Sequence, residues 1–162
     1  MKKLGLFLAL LGVSASLSAT DYFYIRAKNS NKCLHVQGGG MNNGAQLTQW
    51  DCINQNNVQW YIEPTNDPGY YFIKSRESGK CAHQQGGTYN NGDPTSQWDC
   101  VNQGNVKIAV DPTSDGFNFL RFQHSNKCLH VQGGTSNNGA PITQWDCINQ
   151  NNVQWRFEKV WN

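Results

Sequence analysis

The 20 asparagines of this 162-residue sequence include none in an Asn-x-Ser/Thr triplet, so attached glycans are not expected. No Cys-x-x-Cys occurs, and no His or Cys pair stands at metal-ligand spacing, which argues against a zinc site. His-Glu-x-x-His, Gly-x-Ser-x-Gly and a phosphate-binding glycine loop are all missing, which removes the common signatures of metalloprotease, serine hydrolase and nucleotide chemistry. No cluster of Lys and Arg suggests a nucleic-acid or heparin surface. Beyond residue 19 no stretch repeats its apolar positions at helical spacing. The longest apolar run, LGLFLALLGV at 4–13, is too short to span a bilayer.

That run follows MKK and precedes SASLSA at 14–19, the layout of a secretory leader. Residues 1–19 are therefore expected to be a signal peptide cleaved after Ala19, with Ala15 as the alternative, and no membrane insertion is expected. The product would be extracellular, or periplasmic in a bacterium. Without Lys2 and Lys3 the chain carries 11 basic and 11 acidic side chains, a formal balance of zero.

Six cysteines remain: Cys33, Cys52, Cys81, Cys100, Cys128 and Cys147. Each successive pair is 19 residues apart, a threefold spacing that selects Cys33–Cys52, Cys81–Cys100 and Cys128–Cys147 from the fifteen connectivities. An exported chain meets the oxidising conditions such bonds need, and a loop of this length contributes roughly 3 kcal/mol each.

The same spacing belongs to a longer repeat. Residues 31–60 and 126–155 differ only at Gly40/Thr135, Met41/Ser136, Gln46/Pro141 and Leu47/Ile142, and 79–108 is a more divergent third copy. The units run approximately over 21–69, 70–116 and 117–162. Each opens on an alternating aromatic strand (21–28, 70–76, 117–123) and continues with CLHV or CAHQ. A Gly-Gly to Asn-Asn-Gly turn follows, then a strand ending TQWDC or SQWDC, then VQWYIEP, VKIAVDP or VQWRFEK. Four strands in three copies predict an all-β chain of twelve strands closed around one core, which leaves few exposed sheet edges.

The elements CLHV, QGG…NNG, TQWDC and NVQW resemble the ricin-B-type lectins over residues 20–162. That family is a β-trefoil whose pattern runs Cys-Leu-Asp-Val, a Gly- and Asn-containing loop, Gln-x-Trp-x-Cys and Asn-Gln-x-Trp. The resemblance implies a carbohydrate site in each repeat. Its aromatic platforms would be Trp50, Trp98 and Trp145, and its asparagines Asn57, Asn105 and Asn152. Where the family has an aspartate for vicinal hydroxyls, this chain has His35, His83 and His130. Strand alternation puts these histidines opposite Leu34 and its counterparts, so they are expected to face outward. A neutral imidazole could then serve a hydroxyl pair, as in mussel galactose-binding trefoils, whose His-Pro-x-Gly-Gly motif HVQGG resembles. On that basis binding should weaken below about pH 6. Asp51, Asp99 and Asp146 stand ready to hold the histidine's other nitrogen or to replace the lost carboxylate. Two further departures are Val58, Val106 and Val153 for the family's Gln, and Thr48, Ser96 and Thr143 for the Gln two before the platform. Trp60 and Trp155 read as core.

The middle copy has Ala82, Gln84 and Ile108 where the outer copies have Leu, Val and Trp, so it should pack more loosely and bind more weakly. Each unit repeats a single Asp beside a tryptophan, with no second carboxylate across from it, so glycosidase chemistry is not expected. The expected function is a secreted multivalent lectin for galactose or N-acetylgalactosamine glycans, with no cofactor and no metal. The alternatives are a cell-binding or protein-interaction subunit of a separate toxin or enzyme, or a trefoil inhibitor.

Overall fold

A computed structural model describes residues 19–161. Apart from Ala19, the expected leader lies outside the described residues. Twelve short strands follow in order: β1 Phe23–Ala27, β2 Cys33–Val36, β3 Leu47–Trp50, β4 Trp60–Pro64, β5 Tyr71–Ser75 and β6 Cys81–Gln84. The second half holds β7 Thr95–Trp98, β8 Ile108–Pro112, β9 Asn118–Phe122, β10 Cys128–Val131, β11 Ile142–Trp145 and β12 Trp155–Lys159. Six three-residue 3-10 turns join them, at the three Gln-Gly-Gly segments and at Asn56–Val58, Gly104–Val106 and Asn151–Val153.

Six strands close a ring through antiparallel pairs: β1 with β4, β4 with β5, β5 with β8, β8 with β9, β9 with β12, and β12 back to β1. The other six form the hairpins β2–β3, β6–β7 and β10–β11, which cover one end of the barrel. Single bridges Gln46↔Ser96, Pro94↔Thr143 and Thr48↔Pro141 tie each hairpin to the other two. This is the β-trefoil, all β, with four strands from each repeat.

Alternation along β1 buries Phe23, Ile25 and Ala27 and leaves Tyr24 and Arg26 partly exposed, the period of a half-buried strand. The core joins corresponding residues of the three units: Ile25, Ile73 and Leu120; Leu34, Ala82 and Leu129; Trp60, Ile108 and Trp155. Trp60 and Trp155 are fully buried, as expected, and their indole nitrogens donate to Leu34 O at 2.8 Å and Leu129 O at 2.9 Å. All three expected disulfides form, with Cα–Cα distances of 5.2, 5.3 and 5.2 Å.

In the middle unit polarity replaces apolar packing at one core pair. Gln84 faces Thr95 across β6–β7, where Val36 faces Leu47 and Val131 faces Ile142. Gln84 donates to Gln85 O at 2.7 Å and to Thr88 Oγ1 at 2.9 Å, but its carbonyl oxygen is buried without a partner. Leaving such a group unpaired costs about 1–3 kcal/mol.

The units are also stapled in a cycle by polar side chains. Gln49 of the first unit is buried and donates to Thr135 O and Asn137 O of the third, both at 2.9 Å, while accepting from Ser30 Oγ at 2.7 Å. Gln97 does the same for the first unit through Gly40 O and Asn42 O, and Gln144 for the second through Thr88 O and Asn90 O. These glutamines of the Gln-Trp-Asp-Cys segments therefore join neighbouring repeats, and every one of their amide groups is used.

Candidate functional site

The hairpin register sets the site. In β2–β3, His35 lies opposite Thr48 and Cys33 opposite Trp50, so the imidazole stands beside the Thr hydroxyl and diagonal to the indole. His35 Nδ1 donates to Thr48 Oγ1 at 2.7 Å, and its ring stacks on Trp50 with centroids 5.3 Å apart and planes 29° apart. The 3-10 turn at Asn56–Val58 brings Asn57 to the other ring nitrogen: Asn57 Nδ2 donates to His35 Nε2 at 3.0 Å and to Val36 O at 3.3 Å. Because an amide nitrogen only donates, Nε2 must be bare and the proton must lie on Nδ1.

The unit recurs twice with nearly the same geometry. His83 bonds Ser96 at 3.0 Å and Asn105 at 3.0 Å, and its ring lies 5.1 Å from Trp98. His130 bonds Thr143 at 2.9 Å and Asn152 at 3.0 Å, and its ring lies 5.0 Å from Trp145. Thr48, Ser96 and Thr143 thus acquire a role as hydroxyl acceptors for the histidines.

Three expectations require correction. The histidines do not face outward: each is only 6% exposed, because the Trp ring covers one side and the Asn-bearing turn closes the other. Both ring nitrogens are already engaged inside the fold, so the imidazole supports Asn57 and its counterparts rather than offering two free positions to a hydroxyl pair. Burial also pushes the pKa of His35, His83 and His130 down to about 4, with the nearby His124 adding to the effect at His83. Protonation would in addition set an N–H against the Asn Nδ2 donors. The three imidazoles therefore stay neutral at pH 6, where the sequence led us to expect them to protonate.

The aspartates do not reach the histidines. Asp51 accepts from Lys32 Nζ at 2.6 Å and from Asn138 Nδ2 of the third unit at 2.9 Å. Asp99 takes Lys80 and Asn43, and Asp146 takes Lys127 and Asn91, so the second Asn of each Asn-Asn-Gly turn is held by the following unit in the cycle. These hydrogen bonds, from Lys first and Asn second, hold the three carboxyls below their ordinary range. The glycine of the same turn lies under a platform indole: a Cβ on Gly139, where φ is +84°, would come within 3.8 Å of Trp50. The Asp and Gly of these segments thus shape the loop beneath the tryptophan, and Asp51 and Asp99 do not line the clefts.

An open cleft of ≈ 950 Å³ in the first unit is lined by His35, Trp50 and Asn57 together with Gln37, Gln55 and the Gly38–Gly39 backbone. Both glycines have positive φ, +66° and +63°, a backbone path other residues adopt only with strain. The corresponding cleft of the second unit, ≈ 710 Å³, is lined by His83, Trp98 and Asn105 with Gln85, Gln103 and Tyr89. Trp50 and Trp98 are 37% and 38% exposed, so an apolar face borders a wall of amides. Asn57 uses both amide hydrogens inward, which leaves its carbonyl oxygen as an acceptor at the cleft. Sequence reading missed Gln37, Gln55 and Glu77 of the first cleft and Tyr89 and His124 of the second. The Gln before each Gly-Gly is within reach of the sequence, since the Gln-Gly-Gly turn recurs in all three units. Among the described residues no group of three or more His, Cys, Asp or Glu could hold a metal ion, and no helix is long and apolar enough to cross a membrane.

Comparison with known proteins agrees with this architecture. The family model described as ricin-type beta-trefoil lectin domain-like matches three overlapping segments, 14–98, 56–145 and 110–161. Among solved structures, a designed threefold-symmetric protein, ThreeFoil, superposes with a TM-score of 0.81 at 27% identity, over 84% of this chain and 96% of that one. The exo-β-1,3-galactanase 1,3Gal43A of Clostridium thermocellum gives 0.84 at 25% identity, over 91% of this chain but only 32% of the enzyme. The C-half of an earthworm R-type lectin, solved in complex with GalNAc, gives 0.65 at 19% identity over 86% and 99%, a likeness of fold. No curated protein matches the chain. With three repeats, three internal disulfides and that match from residue 14 to 161, the chain belongs to the ricin-type β-trefoil lectin domain-like family.

Proposed function

We propose that this protein is a multivalent glycan-binding lectin whose sites are the clefts beside Trp50, Trp98 and Trp145. The observation that carries the reading is the threefold recurrence of one arrangement: a buried neutral imidazole holds an asparagine beside a tryptophan. In the first two units that arrangement opens on an amide-lined cleft. A sugar ring presents C–H groups that suit an indole face and hydroxyls that suit fixed amides, and it needs no charge partner. Galactose or N-acetylgalactosamine is the proposed terminal sugar, a choice to which the earthworm lectin's GalNAc complex lends support through its shared fold. Asn57, Asn105 and Asn152 contact the ligand, the tryptophans supply the platform, and the histidines hold the asparagines in place.

Each site alone is weak, and affinity for a surface comes from engaging several glycans at once. Secretion after removal of residues 1–19 and the absence of catalysis belong to the same proposal. A second reading, a targeting module that works beside a separate catalytic partner, is favoured by the similarity to about a third of the exo-β-1,3-galactanase. The test is a glycan array probed with oxidised residues 20–162, with and without chelator. Chelator-resistant binding to a coherent group of terminal sugars is the expected result, and no binding to any glycan would refute the proposal.

A further inference from the structure

The three units share their inner residues, yet each is bordered by one residue from the next repeat, and that residue differs every time. The position is the one just before Ser30, Ser78 and Ser125: Asn29, Glu77 and His124. Asn29 reaches the third unit and donates to Gly134 O at 3.0 Å and Thr135 O at 3.2 Å. His124 reaches the second and donates through Nε2 to Thr88 O at 2.9 Å. Both clamp the carbonyl just beyond a Gly-Gly turn. Glu77 borders the first cleft, but a carboxylate has no proton to give, and it makes no hydrogen bond or ion pair among the described residues.

Two consequences separate the first site from the second. Glu77 is the one formally charged residue lining the first cleft, against neutral amides, an indole and a neutral imidazole. The second cleft contains no carboxylate and is narrowed by aromatic groups, with Tyr89 and His124 centroids 5.3 Å apart. Gly104 occupies the place of Asn56 there, and a Cβ on it would meet His124 Cβ at 3.0 Å, so the glycine makes room for the imidazole.

We propose that this following-repeat position sets the charge preference of the first two sites: Glu77 turns the first site against carboxylate-bearing sugars, while the second site takes neutral and acidic sugars alike. The inference rests on the sugar-binding reading above. Its test titrates the 15N-labelled protein at pH 7 and low salt with methyl β-galactoside and, separately, with the methyl glycoside of galacturonate. The Trp50 and Trp98 indole N–H signals report the two sites independently. At Trp50 the acidic sugar should bind about three- to tenfold more weakly, and high salt should shrink the gap, as expected for two carboxylates separated by water. Glu77→Gln, at an exposed position, should close the gap at Trp50 and leave Trp98 unchanged. Equal affinities at Trp50, or a gap that survives Glu77→Gln, would overturn the charge-selection proposal alone. If neither sugar moves either indole, the sugar-binding reading fails and this proposal with it.

Discussion

Acidification should unfold this protein through its three internal histidines before its carboxylates contribute. In the folded state His35, His83 and His130 stay neutral down to about pH 4, whereas in the unfolded chain they protonate near pH 6.5. Between those values the unfolded state binds more protons, so stability is unaffected above pH 7 and falls as the pH drops toward 4. A gap of that size corresponds to on the order of 3 kcal/mol per histidine, and three in step give a slope of about 4 kcal/mol per pH unit. That is comparable with the whole stability of a domain, about 5–15 kcal/mol. The lowered carboxyls of Asp51, Asp99, Asp115 and Asp146 act in a separate window. Their contribution is complete above the unfolded carboxyl range and is lost only as the pH falls further. Urea unfolding followed by tryptophan fluorescence from pH 8 to 4, with the disulfides intact, measures the slope. The triple variant His35→Gln/His83→Gln/His130→Gln, which cannot titrate at these sites, should flatten the profile above pH 4. A flat wild-type profile from pH 7 to 4.5, or an imidazole among the three titrating near 6.5 by NMR, would refute the reasoning.

Replacing the polar core pair of the middle unit by its counterparts, as Gln84→Val/Thr95→Leu, removes a buried unpaired carbonyl. It should raise stability by about 1–2 kcal/mol, despite the loss of the 2.6 Å bond from Thr95 Oγ1 to Ile142 O, and a lower urea midpoint would contradict this. Cys81→Ser/Cys100→Ser opens a loop of 19 residues and should cost roughly 3 kcal/mol in the same assay. Trp50→Ala uncovers His35 and takes away the platform of one site. NMR should then show the His35 pKa rising toward 6.5 while His130 stays near 4, along with loss of methyl β-galactoside binding at the first site alone.

Much of this was legible in the chain because it is local and repeated. Alternation in FYIRA, the 19-residue cysteine spacing and the two core tryptophans each depend on near neighbours in sequence, and each appears in the structure as expected. What failed came from other elements. Alternation states which face of β2 carries His35, but the residue that covers that face, Asn57, lies 22 positions away on a different turn. Asp51 stands next to Trp50 in sequence, yet its second partner is Asn138 in the third unit. Glu77 has no counterpart of its own kind in the other units, so a search for repeated residues passes over it. The cyclic contacts between units are set by closure of the barrel, and no single repeat contains them.

The three asparagines offer the most direct measurement. Native mass spectrometry of the oxidised protein with excess methyl β-galactoside counts occupied sites, and Asn57→Ala, Asn105→Ala and Asn152→Ala can be introduced singly and together. Sugar binding at the asparagines predicts that the count falls by one for each asparagine whose site binds, reaching zero in the triple variant while the fold persists by circular dichroism. A count that stays the same in the folded triple variant would contradict it and place any sugar binding elsewhere on the protein.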